Sequence, residues 1–241
     1  MAIGDHLRDV MDLYGSPACP HTNACLLVAG EKGVDLNCHA ETDWGPSGSV
    51  RGMSPLGIGP ILKDRSATNY GLISCLSYLD DKGFGPSLVH RNGVTRARMF
   101  QEMGVAAQAD VSDDASLSAA LDVLDTTLGT DLGNMKGDYV CGQFTLADAC
   151  WAGLCQVAMN SGKGQAVSSR SRVNTWFAAV QSHPSTSKEA INPFSCMATK
   201  ADADAAAKAK AAASRSTFGR LLKLIMEAST ENKLLKFPTE K

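Results

Sequence analysis

Apolar residues recur along this chain with two different periods, and the change between them divides it. Residues 10–14 read as a short strand, and Ala24, Leu27 and Val28 fall at helical spacing within a helix over 23–30 that Gly33 ends. Residues 34–38 predict a second strand, and a loop rich in Gly, Ser and Pro fills 44–60. Ile61 and Leu62 open a third strand, and 64–68 supply a turn. Leu72, Cys75, Leu76 and Leu79 then mark one face of a helix over 72–79. Strand, helix and strand, followed by a hairpin-like pair and a helix, describe a small α/β layer over residues 10–82. Gly83-Phe84-Gly85-Pro86 reads as a linker.

Beyond the linker the pattern is helical almost throughout, so residues 88–190 predict an all-helical domain. A helix over 94–110 carries Arg96, Arg98 and Glu102 on its wet side, and Leu117, Leu121, Leu124 and Leu128 form the inner stripe of the next. Thr145-Leu146-Ala147-Asp148 is a capping box, in which the threonine oxygen takes the aspartate amide and the carboxylate reaches back. It starts a buried helix whose Ala147, Cys150, Trp151, Leu154 and Ala158 recur as a core stripe, so Trp151 reads as packing. Val173, Trp176, Phe177 and Val180 make a further apolar face that ends near His183-Pro184.

Residues 191–241 form a third segment, expected to be a helical extension. Residues 198–213 are nearly all Ala, with Asp first and Lys later, which suits an exposed helix and matches the helix dipole in sign. Phe218, Leu221, Leu222 and Ile225 then fall at helical spacing beside Arg215, Arg220 and Lys223. That apolar stripe predicts a protein partner contacting the tail.

Composition narrows the function. The chain has 241 residues, 44% of them hydrophobic, and 23 basic against 25 acidic residues give a formal charge of −2. A polyanion or an anionic membrane surface finds no electrostatic footprint here, so nucleic acid is not an expected partner. No apolar run reaches membrane-spanning length, and residues 1–6 show neither a basic cluster nor a secretory core, so no transmembrane segment is expected. The 8 cysteines are scattered without a C-x-x-C pair, which places the chain in a reducing compartment, cytoplasmic or organellar. Cys25, Cys150 and Cys155 lie on apolar helix faces and read as small hydrophobes.

Cys19 differs, because residues 13–20 read as a strand running into a turn and then a helix, with the thiol at the helix start. There it meets the unpaired amides and positive end of the first turn. His21 and Cys25 lie four apart, but two ligands without a nearby completing set do not make a zinc site, and His21 reads as solvent-exposed. No metal or firmly bound organic cofactor is expected.

Several separated motifs together resemble the glutathione transferase superfamily, particularly its phi class and, through the thiol, its cysteine-bearing classes. They are Gly15-Ser16-Pro17-Ala18-Cys19, Glu31-Lys32-Gly33-Val34, Ser54-Pro55-Leu56-Gly57 leading to Gly59-Pro60-Ile61-Leu62, Tyr78-Leu79, Tyr139-Val140-Cys141-Gly142 before the capping box, and Val173-Asn174-Thr175-Trp176. The resemblance covers residues 12–187. It implies a thioredoxin-like first domain and a glutathione-transferase helical second domain, with Pro60 as a cis proline that turns the Gly59 amide and carbonyl toward a ligand. Cys19 aligns with the catalytic serine of phi-like enzymes, and a cysteine there resembles the thiol-transfer classes, which form a mixed disulfide with glutathione. Glutathione thus becomes the implied substrate or ligand, with Ser16, Cys19, Gly59, Pro60 and Ser66 around it.

The chain departs from the family in the helix after the third strand. Where members carry Glu-Ser to hold the γ-glutamyl carboxylate, this sequence has Gly71 and Leu72. Losing one hydrogen bond to a charged group costs about 1.5–3 kcal/mol. Ser66, Thr68 or Asn69 would have to substitute, with Lys63 and Asp64 as peptide contacts or as turn residues. Two functions follow. The first is a non-catalytic scaffold or assembly subunit held partly by its tail; the second is a glutathione-dependent transferase or thiol transferase using Cys19. In the second, Phe100 and Met103 are candidate substrate contacts, although their pattern reads more strongly as core. Residues near Arg96 suit either the face of a homodimer or ordinary solvent exposure.

Overall fold

The computed structural model describes residues 10–41, 43–45, 47–130 and 137–183. The extension expected over 191–241, with Phe218, Leu221, Leu222 and Ile225, lies outside the described residues.

Strand β1 (Met11–Gly15) alternates buried and half-buried residues, as a strand with one covered face should. Helix α1 (Pro20–Lys32) follows, and β2 (Leu36–Ala40) pairs parallel to β1 with Leu13 opposite Cys38. The second strand begins two residues later than its hydrophobic pattern predicts, because Val34 still serves the helix. Its amide donates to Ala29 O at 2.9 Å while Gly33, at φ 62°, makes the left-handed turn that ends α1. After a 3₁₀ turn at Ser49–Gly52 come β3 (Ile61–Lys63), antiparallel to β1, and β4 (Thr68–Tyr70), antiparallel to β3. The sheet order is β2-β1-β3-β4. Helix α2 (Leu72–Lys82) runs one turn longer than its apolar pattern and buries Leu72, Cys75, Leu76 and Leu79, the four residues that pattern picked out.

The second domain is helical. It contains α3 (Gly93–Gln108), α4 (Asp114–Gly129), α5 (Leu146–Asn160), the short α6 (Gly164–Ser168) and α7 (Ser171–Gln181). Asn92 and Asp113 cap α3 and α4, each side chain accepting two first-turn amides. The capping box at Thr145 forms, with the Asp148 carboxylate taking the Thr145 amide and hydroxyl at 2.9 Å each. That carboxylate also receives the Val140 amide and the Trp176 indole N–H. Burial raises the Asp148 carboxyl, and these four donors work against the rise. Trp151 is fully buried, as its place in the core stripe implies.

Glu102 is a correction. It was expected on the wet side of α3 but is 2% exposed, because it is the acceptor for three donors: Arg98 at 2.8 Å, Thr127 Oγ1 at 3.1 Å and Trp151 Nε1 at 3.2 Å. A charge so supplied can leave water. Arg96 is exposed, as expected. Cys25, Cys150 and Cys155 are buried small hydrophobes, and burial pushes the Cys155 thiol up to about 12.

Two close approaches fix where α1 sits. A Cβ on Gly153 of α5 would lie 2.4 Å from Pro20 O and 2.9 Å from the Ala24 amide, so the absence of a side chain lets α5 lie against the first turns of α1. At the other end of α1, Lys32 and Asp80 of α2 form a buried ion pair, and Pro86 of the linker with Ser87 and Leu88 just beyond it hydrogen-bond to the pair.

Candidate functional site

β1 ends in a loop that presents Cys19. The Cys19 amide donates to Ser16 O at 2.9 Å, the Ala18 amide donates to Ser16 Oγ at 3.2 Å, and Cys19 becomes the N-cap of α1 in extended backbone geometry. Asn23 secures the turn by donating to both Pro17 O and Cys19 O at 2.9 Å. Gly15 is required just before it, since a Cβ there would fall 2.4 Å from Thr22 Oγ1. Pro20 at the first helical position has no amide to satisfy, which suits the start of a helix.

The facing wall is built from the loop before β3. The Gly59–Pro60 peptide is cis, as the resemblance implied. A Cβ on Gly59 would lie 2.5 Å from the Trp44 ring, so the indole packs flush on that backbone. Trp44 is held by its own N–H donating to Glu41 O at 3.0 Å. Pro60 O accepts the Gly71 amide at 2.9 Å and the Cys75 thiol at 3.4 Å, which ties this loop to the start of α2. Gly71 is the N-cap of α2 at φ 82° and offers no side-chain cap, and Leu72 is the first helical residue.

Between these walls lies a cavity of about 550 Å³, lined by Ser16, Cys19, His21, Thr22, Trp44, Gly57, Ile58, Gly59, Gly71 and Leu72. Ser16, Cys19 and Gly59 are thus brought together, with Pro60 adjoining Gly59. Ser66 stands elsewhere. It sits in the turn between β3 and β4, where its amide donates to Asp64 Oδ1 at 2.6 Å and its hydroxyl lies 3.1 Å from the Tyr78 hydroxyl. Thr68 and Asn69 lie on β4, also outside the cavity lining. Asp64 is the hub of the turn. Burial raises its carboxyl, but hydrogen bonds from Tyr78, Ser66 and the Ala67 amide outweigh that and bring it down to about 2. Of the two readings weighed for Asp64, the turn residue is the one its contacts describe.

His21 is the second correction. It is half-buried, not exposed, because its Nε2–H reaches across to Ala107 O of α3 at 3.3 Å. Burial lowers its pKa more than that hydrogen bond raises it. Met103 is fully buried core, while Phe100 is 41% exposed, and neither lines the cavity. Among the described residues no group of three metal-ligating side chains gathers, and no helix is long and apolar enough to cross a membrane.

Sequence reasoning missed Thr22, Trp44 and Ile58 as wall residues. A lone indole in a Gly, Ser and Pro-rich loop was the available signal for Trp44. For Thr22 the signal was a hydroxyl one helical turn after the thiol.

A mixed four-stranded sheet with a cis proline opening β3, followed by an all-helical domain, defines the glutathione-transferase fold. Solved structures of two glutathione transferases and of an isomerase are similar to it. A serine-to-cysteine variant of poplar glutathione transferase F1 is 21% identical over 73% of this chain and 94% of its own, with a TM-score of 0.59. A delta-class glutathione transferase of Nilaparvata lugens is 22% identical over 78% and 99%, with a TM-score of 0.61. A maleylacetoacetate isomerase of Methylobacterium extorquens AM1, solved with malonate and glutathione bound, is 16% identical over 72% and 93%, with a TM-score of 0.63. No family model and no curated protein sequence matches the chain.

Proposed function

We propose that this chain is a glutathione-dependent thiol transferase in which Cys19 is the nucleophile. The observation that carries the reading is the placement of Cys19, half-buried at the start of α1 and opening on a cavity whose far wall is the Gly59–Pro60 backbone. Attack on a disulfide forms a Cys19 mixed disulfide and releases one thiolate, and glutathione then displaces Cys19 and restores it. Purified protein should reduce a low-molecular-weight disulfide in a glutathione-dependent way, and Cys19→Ser should abolish turnover. Undiminished turnover in that variant rejects the reading.

The start of α2 favours a second reading, a non-catalytic scaffold or assembly subunit. Gly71 and Leu72 present no hydroxyl or carboxylate where the family seats a peptide carboxylate. Absence of measurable glutathione binding by titration calorimetry would support it. Loss of partner co-purification after removal of everything beyond Lys200 would then assign the anchoring to the tail.

A further inference from the structure

Away from the cavity, three polar side chains of the sheet converge on one point. Asp12 of β1 and Asn37 of β2 are direct partners in the parallel register, and His39 follows two residues after Asn37 on the same face. That face is opposite the one on which Leu13 and Cys38 join the core. Asn37 Nδ2 lies 2.9 Å from Asp12 Oδ1, His39 Nε2 lies 2.8 Å from the same oxygen, and 3.3 Å separates Nδ2 from Nε2. The Tyr14 ring stacks on the imidazole, with centroids 4.5 Å apart and planes 14° from parallel, which steadies His39 in this pose.

Hydrogen bonding alone does not satisfy this triangle. The His39 hydrogen bond above all, helped by Asn37, holds the Asp12 carboxyl below its ordinary value, so at neutral pH it is a carboxylate and can only accept. Toward that carboxylate Nε2 must carry a proton, whereas toward an Asn37 N–H it must offer a lone pair. Turning the amide over gives Nε2–H a second acceptor but sets the Asn37 oxygen against the Asp12 oxygen. One edge is repulsive whichever way the hydrogens are placed.

A divalent cation removes the conflict, because all three groups can then turn lone pairs toward it. With metal–ligand bonds of about 2.0–2.2 Å, neighbouring ligands in octahedral or tetrahedral geometry stand about 2.8–3.6 Å apart. The three edges here fall within that span. We propose that Asp12 Oδ1, His39 Nε2 and the Asn37 amide oxygen, turned into the place of Nδ2, bind one zinc-type divalent ion that clips β1 to β2. An imidazole beside two oxygen donors suits zinc or nickel better than the harder magnesium or calcium. His39 and Asp12 are 39% and 38% exposed, so water can complete the shell. Because the third donor is an amide, no trio of His, Cys, Asp and Glu marks the place among the described residues. Lys63 stands opposite Asp12 on β3 and its charge works against a cation, so the ion exchanges with solvent and is not permanently held.

The test uses the full chain, stripped of metal by a chelator, with zinc(II) and cobalt(II) alone as probes. Titration calorimetry should show zinc binding that is unchanged in Cys19→Ser and weakened about tenfold or more in His39→Gln and in Asp12→Asn. Zinc should raise the thermal midpoint of the wild type, and His39→Gln should lose that rise. The first equivalent of cobalt(II) should give ligand-field absorption without a sulfur-to-cobalt charge-transfer band. Absence of zinc binding by the wild type, or binding undiminished in His39→Gln, overturns the proposal and leaves the trio as a cross-strand hydrogen-bond cluster. A sulfur charge-transfer band with the first equivalent assigns the ion to cysteine and also overturns it. The cobalt spectrum is read on the wild-type chain, so it decides the matter even where His39→Gln or Asp12→Asn does not fold.

Discussion

Lys32 Nζ lies 3.0 Å from Asp80 Oδ1, and both side chains are 2% exposed. Neither charge is left with its partner alone: Lys32 also donates to Pro86 O at 3.0 Å, and Asp80 accepts from the Ser87 hydroxyl at 2.7 Å and the Leu88 amide at 2.8 Å. The pair therefore joins the last turns of α1 and α2 to the segment that leads into the second domain.

Removing one member of that pair strands the other in a dry site. Asp80→Ala and Lys32→Ala should each destabilise the chain by about 3–5 kcal/mol. Replacing both with apolar residues of similar volume should cost much less. A double-mutant cycle in chemical denaturation checks this, and additive losses would contradict it.

Gly153 carries a second prediction. Any side chain there drives α5 against the Pro20 carbonyl, so Gly153→Val should destabilise by about 1–3 kcal/mol. Because the displaced backbone adjoins Cys19, the rate of Cys19 modification by a disulfide probe should change with it. Gly104→Ala, where a Cβ meets open space, serves as the control.

Asp64 predicts an acid limit. Its carboxyl titrates near 2 in the folded chain against an ordinary value of 3.8, so the folded state binds the proton less readily than the unfolded one. The stabilisation is complete above pH about 4 and is lost as pH falls toward about 2. Asp64→Asn should be less stable at neutral pH, and its stability should fall less than the wild type's across that acid window. Parallel curves for the two proteins would rule this out.

Leu72→Ser should raise glutathione affinity by about tenfold or more, since it places a hydroxyl in the first turn of α2 where the cavity has none. Titration calorimetry of both proteins measures the change. An unchanged affinity would mean that the tripeptide carboxylate is seated elsewhere.

The architecture was legible because its signals were redundant. Leu72, Cys75, Leu76 and Leu79 specify α2 by spacing alone, and Thr145 with Asp148 mark the start of α5 by chemistry as well as by position. Cys19 and Gly59 came from motif order, and the structure sets both on one cavity. Glu102 and His21 were misjudged for a common reason. A polar residue is buried when distant partners answer it, and neither Trp151 nor Ala107 stands near enough in sequence to announce that. The whole wall formed by Thr22, Trp44 and Ile58 depends likewise on how loops fold together.

At φ 82° and ψ 157°, Gly71 occupies backbone territory that side-chain-bearing residues rarely enter, at a cost of about 1–3 kcal/mol. Restoring the acidic member of the usual pair would therefore demand a new path for the chain at the head of α2, and not merely a new codon. Leu72 remains open to exchange. On the glutathione reading proposed above, a redesign toward tripeptide capture could exchange Leu72 freely, whereas a side chain at Gly71 would have to be accompanied by a changed backbone.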